Sequence, residues 1–139
     1  MSLPQSPITA VVAFLLADAD VAGQVSTRGF GGELPRDESV SMPRKCFVVR
    51  YAGGPPDSTQ MEVNRTRMDI WHYGATPLEA EQVRLATYQA LKLTRRVVIA
   101  STIILSTVKE AGPITLRDPD GDWPLTIDTW GVIAADCAA

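Results

Sequence analysis

Few side chains in this sequence have the type and spacing to do chemistry. His72 is the single histidine, so no multi-histidine metal site and no histidine pair is available. A lone histidine could serve as a general base, but catalysis also needs an oriented nucleophile or a partner acid. His72 shares the parity of Met68 and Ile70 in a strand-like run, which reads as a packed, hydrogen-bonded residue. Asp118-Pro119-Asp120-Gly121-Asp122 has the look of part of a calcium loop. Such a loop needs glycine sixth and a bidentate Glu twelfth. Gly121 misses that position in a register starting at Asp118, and the twelfth residue is Thr129. Pro, Asp and Gly are also the residues of an ordinary reverse turn, and the segment is read as one. Gly29-Phe30-Gly31-Gly32 lacks the Lys and the long following helix that phosphate binding would use. No G-x-S-x-G, C-x-x-C, P-loop or G-x-G-x-x-G spacing occurs. The expectation is a protein that is not an enzyme, with no metal and no cofactor.

The remaining polar candidates suit contact rather than catalysis. Arg65 and Arg67 stand two apart and so project from one strand face, alongside Asp69. They form either a solvated face with an internal ion pair or a stripe facing a neighbouring subunit or DNA. Arg36, Asp37 and Glu38 open a polar segment, 36–43, bracketed by Pro35 and Pro43, which reads as an exposed loop able to make assembly contacts. Thirteen Lys and Arg against sixteen Asp and Glu give a net charge of −3, which argues against sequence-independent nucleic-acid binding as the main role. Cys46 and Cys137 lie far apart, offer no disulfide framework, and read as small packing residues in a reducing compartment.

The elements that position these residues follow from periodicity and punctuation. Arg65 to Tyr73 alternates like a strand, Gly74 stops it, and Thr76-Pro77-Leu78-Glu79 reads as a capping box with Pro77 at the first helical position. That helix should run from Pro77 to about Arg95, with Val83, Ala86, Ala90 and Leu91 buried, Leu78 and Leu85 flanking, and Arg95 and Arg96 at its carbonyl end. Ser6-Pro7 starts an earlier helix whose stripe is Ile8, Val11, Val12, Leu15 and Ala19, with Phe14 and Leu16 off it. Segment 25–32 reads as a short strand with a bulge at Gly31-Gly32. Cys46 to Tyr51 and Gln60 to Tyr73 should form a hairpin across the turn cluster Gly53 to Ser58. Val97 to Val108 reads as one strand interrupted at Gly112-Pro113, and Ile114 to Arg117 with Leu125 to Ala134 as a last hairpin.

At 139 residues, 45% of them hydrophobic, the chain is expected to be one domain, 1–139, of α+β class. Its sheet should be mainly antiparallel or mixed, with two main helices packed on it and loops near 36–43, 53–59 and 118–124. The apolar run Ile8 to Ala17 is about half the ~20 residues a membrane span requires and has no preceding Lys or Arg, so it reads as a core helix.

This order of pieces resembles the tail terminator, or tail completion, proteins of long-tailed bacteriophages and related gene-transfer particles. The resemblance is carried by Val11 to Asp18, then Val25 with Arg28-Gly29-Phe30, then Leu34-Pro35. It continues through Asp69-Ile70-Trp71-His72-Tyr73-Gly74 and the helix from Thr76 to Leu91. Gly112-Pro113 and Asp118-Pro119-Asp120-Gly121-Asp122-Trp123-Pro124 complete it. The resemblance implies an α+β subunit without catalytic residues that forms a hexameric ring on the end of the tail tube. Its partners would be further copies of itself, the tail tube protein and a head-completion or neck protein, with DNA passing through unread and no membrane involved. Its place would be the virion head–tail junction, after assembly in the host cytoplasm. The alternatives are a neck or stopper protein, a small soluble ligand-binding domain, and an enzyme using His72.

Overall fold

Runs of Val, Ile, Thr and aromatic residues favour a pleated, half-buried surface. In a computed structural model describing residues 6–53, 63–92, 94–100 and 102–136 they join into one six-stranded sheet. The strands are β1 (Gly29–Gly31), β2 (Cys46–Tyr51), β3 (Val63–Tyr73), β4 (Arg95–Ile99), β5 (Thr102–Arg117) and β6 (Pro124–Asp136). Their spatial order is β1-β2-β3-β6-β5-β4, with β1 parallel to β2 and every other pair antiparallel. The class is α+β. The helices are α1 (Pro7–Ala17), α2 (Ala19–Val25), α3 (Arg36–Ser41) and α4 (Pro77–Leu91). The two longest, α1 and α4, are the expected pair.

Alternation in the strands divides the apolar residues between two layers. Phe47, Val49, Met68, Ile70, Trp130 and Val132 face α1, α2 and α4 and pack with Val11, Leu15, Val21, Val83 and Leu91. Cys46, Val48, Tyr73 and Leu125 face the other way, under Phe30, Leu34, Met42 and Trp123. Cys46 is fully buried, which pushes its thiol up to about 12, so it packs rather than reacts. Cys137 lies outside the described residues, as do Gln60 to Glu62 and most of the turn cluster from Gly53 to Ser58. No single described helix is long and apolar enough to cross a membrane.

At Gly74 the stop and the Thr76 half of the capping box have the expected form. The Thr76 hydroxyl accepts from the Glu79 N–H at 3.2 Å. A Cβ on Gly74 would lie 2.5 Å from the Ala80 nitrogen, so only glycine lets β3 pass this close under the start of α4.

Six boundaries differ from expectation. The first helix stops at Ala17 because Asp18 caps a second one: its Oδ2 accepts from the N–H groups of Asp20 and Val21, both at 3.1 Å. The chain bends by 90° there, and Val25 closes a helix rather than opening a strand. The expected loop at 36–43 contains α3, whose first-turn Asp37 and Glu38 suit the positive end of a helix dipole. α4 ends at Leu91, and Arg95 and Arg96 belong to β4, not to its carbonyl end. The single strand foreseen at Val97 to Val108 is a hairpin, turning where Ala100 takes a positive φ of 53°. β5 runs on through Gly112-Pro113 by absorbing register shifts between Lys109 and Ala111 and between Ala111 and Ile114.

The Asp18 cap gives a direct test. Asp18→Ala should lower unfolding free energy by about 1 kcal/mol, and Asp18→Asn by a few tenths at most, in urea denaturation. Equal losses in both variants would show that the carboxylate's cap bonds are not what holds the α1–α2 bend.

Candidate functional site

The polar residues lie in two groups on opposite faces of the sheet. On the helix-covered face, β3 carries His72, β6 carries Asp128 and α4 carries Arg84 and Thr87, all buried. The His72 Nδ1 is 2.9 Å from the Thr126 carbonyl, which can only accept, so the ring proton sits on Nδ1. Nε2, 2.6 Å from the Thr87 Oγ1, then accepts from that hydroxyl, which also lies 2.9 Å from the Arg84 carbonyl. Burial pushes the imidazole pKa down to about 3 and so keeps the ring neutral. Arg84 forks onto Glu81 at 2.6 and 3.0 Å and reaches Asp128 at 3.5 Å. The Lys109 ammonium lies 3.5 Å from the other Asp128 oxygen, a charge contact without hydrogen-bond geometry. Burial raises the Asp128 pKa, while Lys109 and Arg84 oppose that rise.

This arrangement is unsuited to acid–base work. Both ring nitrogens of His72 are engaged, the ring is fully buried, and the single proton of the adjacent Thr87 hydroxyl is taken up by the ring. His72 is the packed, hydrogen-bonded residue its strand parity indicates. Among the described residues, no three His, Cys, Asp or Glu side chains converge as a metal site.

The sequence reading missed Asp128, Arg84, Thr87 and Lys109. One signal was available: Asp128 shares the parity of Thr126 and Trp130, so a carboxylate on that face required cationic partners. The expected stripe of α4, Val83, Ala86, Ala90 and Leu91, packs on the core. Arg84 and Thr87 are buried, whereas Leu78 and Leu85 are 69% and 50% exposed.

The opposite face carries Arg65 and Arg67, exposed side by side on β3. Both bind Glu110 of β5, at 3.0 and 3.1 Å. The Glu110 carboxylate rests over Gly131, where even a Cβ would come within 3.0 Å of it. Asp69 instead accepts from the Thr129 hydroxyl at 2.5 Å. The ion pair is thus made with a different strand than the one expected. Arg50 stacks over Trp71 at 4.3 Å.

Further along this face, an open cleft of about 540 Å³ lies between Glu33, Leu34, Arg50, Tyr73, Asp120 and Trp123. Its wall is braced by the Asp118 turn. One Asp118 oxygen accepts from the Asp120 and Gly121 N–H groups, and the other accepts from the Tyr73 hydroxyl at 3.2 Å. Asp118 is therefore a turn-former, as its sequence context indicates.

Arg36 and Asp37 are exposed on α3, while Glu38 is 8% exposed and turned inward. Its two carboxylate oxygens take a bidentate fork from Arg44 at 2.6 and 2.7 Å. The five residues singled out for assembly thus divide into separate groups on α3 and β3.

The sequence matches no protein-family model and no curated protein. Its fold is found in solved structures. A chain from the virion of a native gene transfer agent particle superposes with a TM-score of 0.66 at 16% identity, over 94% of this chain and 95% of that one. The gp17 protein of bacteriophage SPP1 superposes with a TM-score of 0.52 at 18% identity, over 89% and 85% of the two chains.

The His72 environment predicts an acid-sensitive fold. The unfolded chain takes up a proton near pH 6.5 that folded His72 refuses until about pH 3, so stability falls as pH falls through that interval. Glu81, whose pKa Arg84 holds down, acts in the same direction; buried Asp128, with its raised pKa, opposes it. His72→Gln should cost ~1–3 kcal/mol at neutral pH through an imperfectly satisfied buried site. It should also flatten the stability profile between about pH 6 and about pH 4, measured by urea midpoints. A profile as steep as that of the unaltered protein would place the acid sensitivity elsewhere.

Proposed function

We propose that this chain is a structural virion protein that caps the tail tube of a long-tailed phage or gene-transfer particle as a homo-hexameric ring and joins it to the head-completion proteins. The observation that carries the reading is the likeness, end to end in both chains, to a chain of a gene transfer agent virion. The likeness to SPP1 gp17 supports a phage setting. The arrangement of motifs from Val11 to Pro124 that resembles tail terminators supports the position at the tube end.

The surface chemistry suits such a part. Polar groups that could serve catalysis are consumed in packing, and the unspent features are contact features. Every residue from Glu110 to Arg117 is exposed, so the second half of β5 is open to contact. Val40, Leu78, Val98, Val108 and Ile114 expose more than half of their surface. A net charge of −3 suits a ring through which DNA slides without being held. The ring would meet the tube protein on one side and the neck on the other, with the exposed Arg36, Asp37, Arg65 and Arg67 in assembly contacts. Glu38 would contribute indirectly, by holding α3 to Arg44.

Deleting the gene is expected to leave filled or fillable heads and separate tails of abnormal length, seen by electron microscopy. Without a cap nothing outcompetes the next ring of tube subunits. Normal tails attached to heads would contradict the reading; tails of normal length left unattached would favour a neck or stopper protein.

Arg36→Ala with Asp37→Ala should change stability by no more than about 0.5 kcal/mol, because both side chains are exposed. The same variant should impair joining of tails to heads in a complementation assay. Normal joining would remove α3 from the contact surface.

A further inference from the structure

The two edges of the sheet are complementary in direction, length and charge. β4 pairs with β5 only as far as Ser106, so among the described residues β5 from Thr107 onward is paired on its β6 side alone. Most of that edge is spoiled for further pairing by the register shifts up to Ile114, a usual protection of exposed strands. The regular part is Ile114 to Arg117, opposite Ile127 to Pro124. Ile114 and Leu116 are 52% and 47% exposed there.

At the far edge, among the described residues, β1 is paired on its β2 side alone, and its regular part is Gly29 to Gly31. Gly29 and Gly31 present no side chain, while Phe30 packs on the face away from α1 with Leu34. Ile114 and Leu116 share that face, because they oppose Ile127 and Leu125. Strand directions run so that β5 descends toward the end of the sheet at which β1 and β2 begin. A second copy in the same orientation would therefore bring its β1 antiparallel to β5.

Charge agrees with this register. Below Leu116 the hairpin tip carries Arg117 against Asp118, Asp120 and Asp122, a net charge of −2. At the same end of the sheet, the residues that open β1 and β2 are Arg28 and Lys45, a net charge of +2. The Arg28 Nε is held on the Lys45 backbone carbonyl at 2.8 Å, and the Lys45 ammonium donates to the Gln24 Oε1 of α2 at 2.8 Å.

We propose that neighbouring copies of this chain join head to tail by antiparallel pairing of Thr115–Arg117 with Gly29–Gly31 of the next copy, Leu116 opposite Phe30 on their shared face, the aspartate tip lying against its Arg28 and Lys45. The proposal rests on the reading of the chain as a ring subunit and specifies the contact within that ring. Such a contact is heterologous, uses different surfaces on its two sides, and so closes into a ring when the rotation allows. It buries Ile114 and Leu116 against Phe30 and Leu34 and supplies partners for backbone groups of both edges.

A charge-reversal cycle on the full chain tests it, with assembly followed by sedimentation velocity and folding by thermal melting. Asp120→Lys and Lys45→Glu should each raise the concentration for half-assembly roughly tenfold or more, since like charges then face each other. The two changes combined in one chain should return it toward the unaltered value. Leu116→Asp, an exposed position, should abolish assembly while leaving the melting temperature nearly unchanged. Assembly unaffected by all of these variants, or no recovery in the combined one, overturns the edge contact while leaving the ring itself standing. Single reversals that leave self-association intact but stop attachment to tail tubes would overturn it by assigning the edge to the tube protein. An unaltered protein that stays monomeric and is absent from particles removes both the ring and the contact.

Discussion

The pairing of β3 with β6 is the constraint on which the rest of the structure depends. It runs unbroken from Val63 opposite Ala135 to Tyr73 opposite Leu125, without a bulge. Because strand side chains alternate, this ladder assigns every residue of both strands to one layer or the other. A slip of one residue would carry Met68, Ile70 and Trp130 out of the core and bring Arg67 and Asp69 into it. β2 continues the same register on one side, placing Phe47 beside His72 and Val48 beside Trp71. On the other side β5 accommodates it only by bulging, which is why irregularity is concentrated between Lys109 and Ile114.

The helix-covered layer is held by more than apolar contact. Beneath α4 the apolar cluster gives way to His72, Thr87, Arg84 and Asp128, each tied to a partner from another element or from its own helix. Tyr88 joins the two regimes, tilting over Trp130 at 5.9 Å while the Lys109 ammonium lies 5.1 Å from its ring. Such contacts gain little over an apolar replacement, but breaking one leaves a buried polar group unmatched. Their effect is to fix how α4 lies along the sheet, since a shift of one turn would strand Asp128 without Arg84. The same economy accounts for the glycines at 74 and 112, where a Cβ would collide with the α4 backbone or the β6 carbonyl.

The outer layer is built differently. Its apolar patch is small, and above it stand the Arg65–Glu110–Arg67 bridge and the Asp69–Thr129 bond, exposed or part-buried. Exposed bridges contribute little stability, about 0–1 kcal/mol each. They do order long side chains on a flat surface. At the opposite end of the same layer, Tyr73 bonds Asp118 and stacks edgewise on Trp123 at 6.2 Å, so the hairpin tip is anchored although the strand leading to it is exposed.

What the sequence determined by itself is whatever depends on neighbouring residues. Alternation from Arg65 to Tyr73, the Gly74 stop, the Thr76 cap and the Asp118 turn are settled within a few residues of chain, and each has the expected form. The α+β class followed from the same signals. Local chemistry misled where two structures satisfy one pattern: Val97 to Val108 is β-branched on both sides of the Ala100 turn, and 36–43 is polar whether coiled or helical. Asp18 does not stand out as a cap, because the helical stripe of the first helix continues past it to Ala19. Tertiary structure alone decided the pairings. Nothing near Glu110 in the chain indicates that it would bridge Arg65 and Arg67, more than forty residues away. Likewise, nothing along α4 shows that Arg84 would be buried and Leu78 exposed on one helix. Those outcomes depend on which strand lies beside which, and a charged side chain takes its place from the partner that crosses over to it.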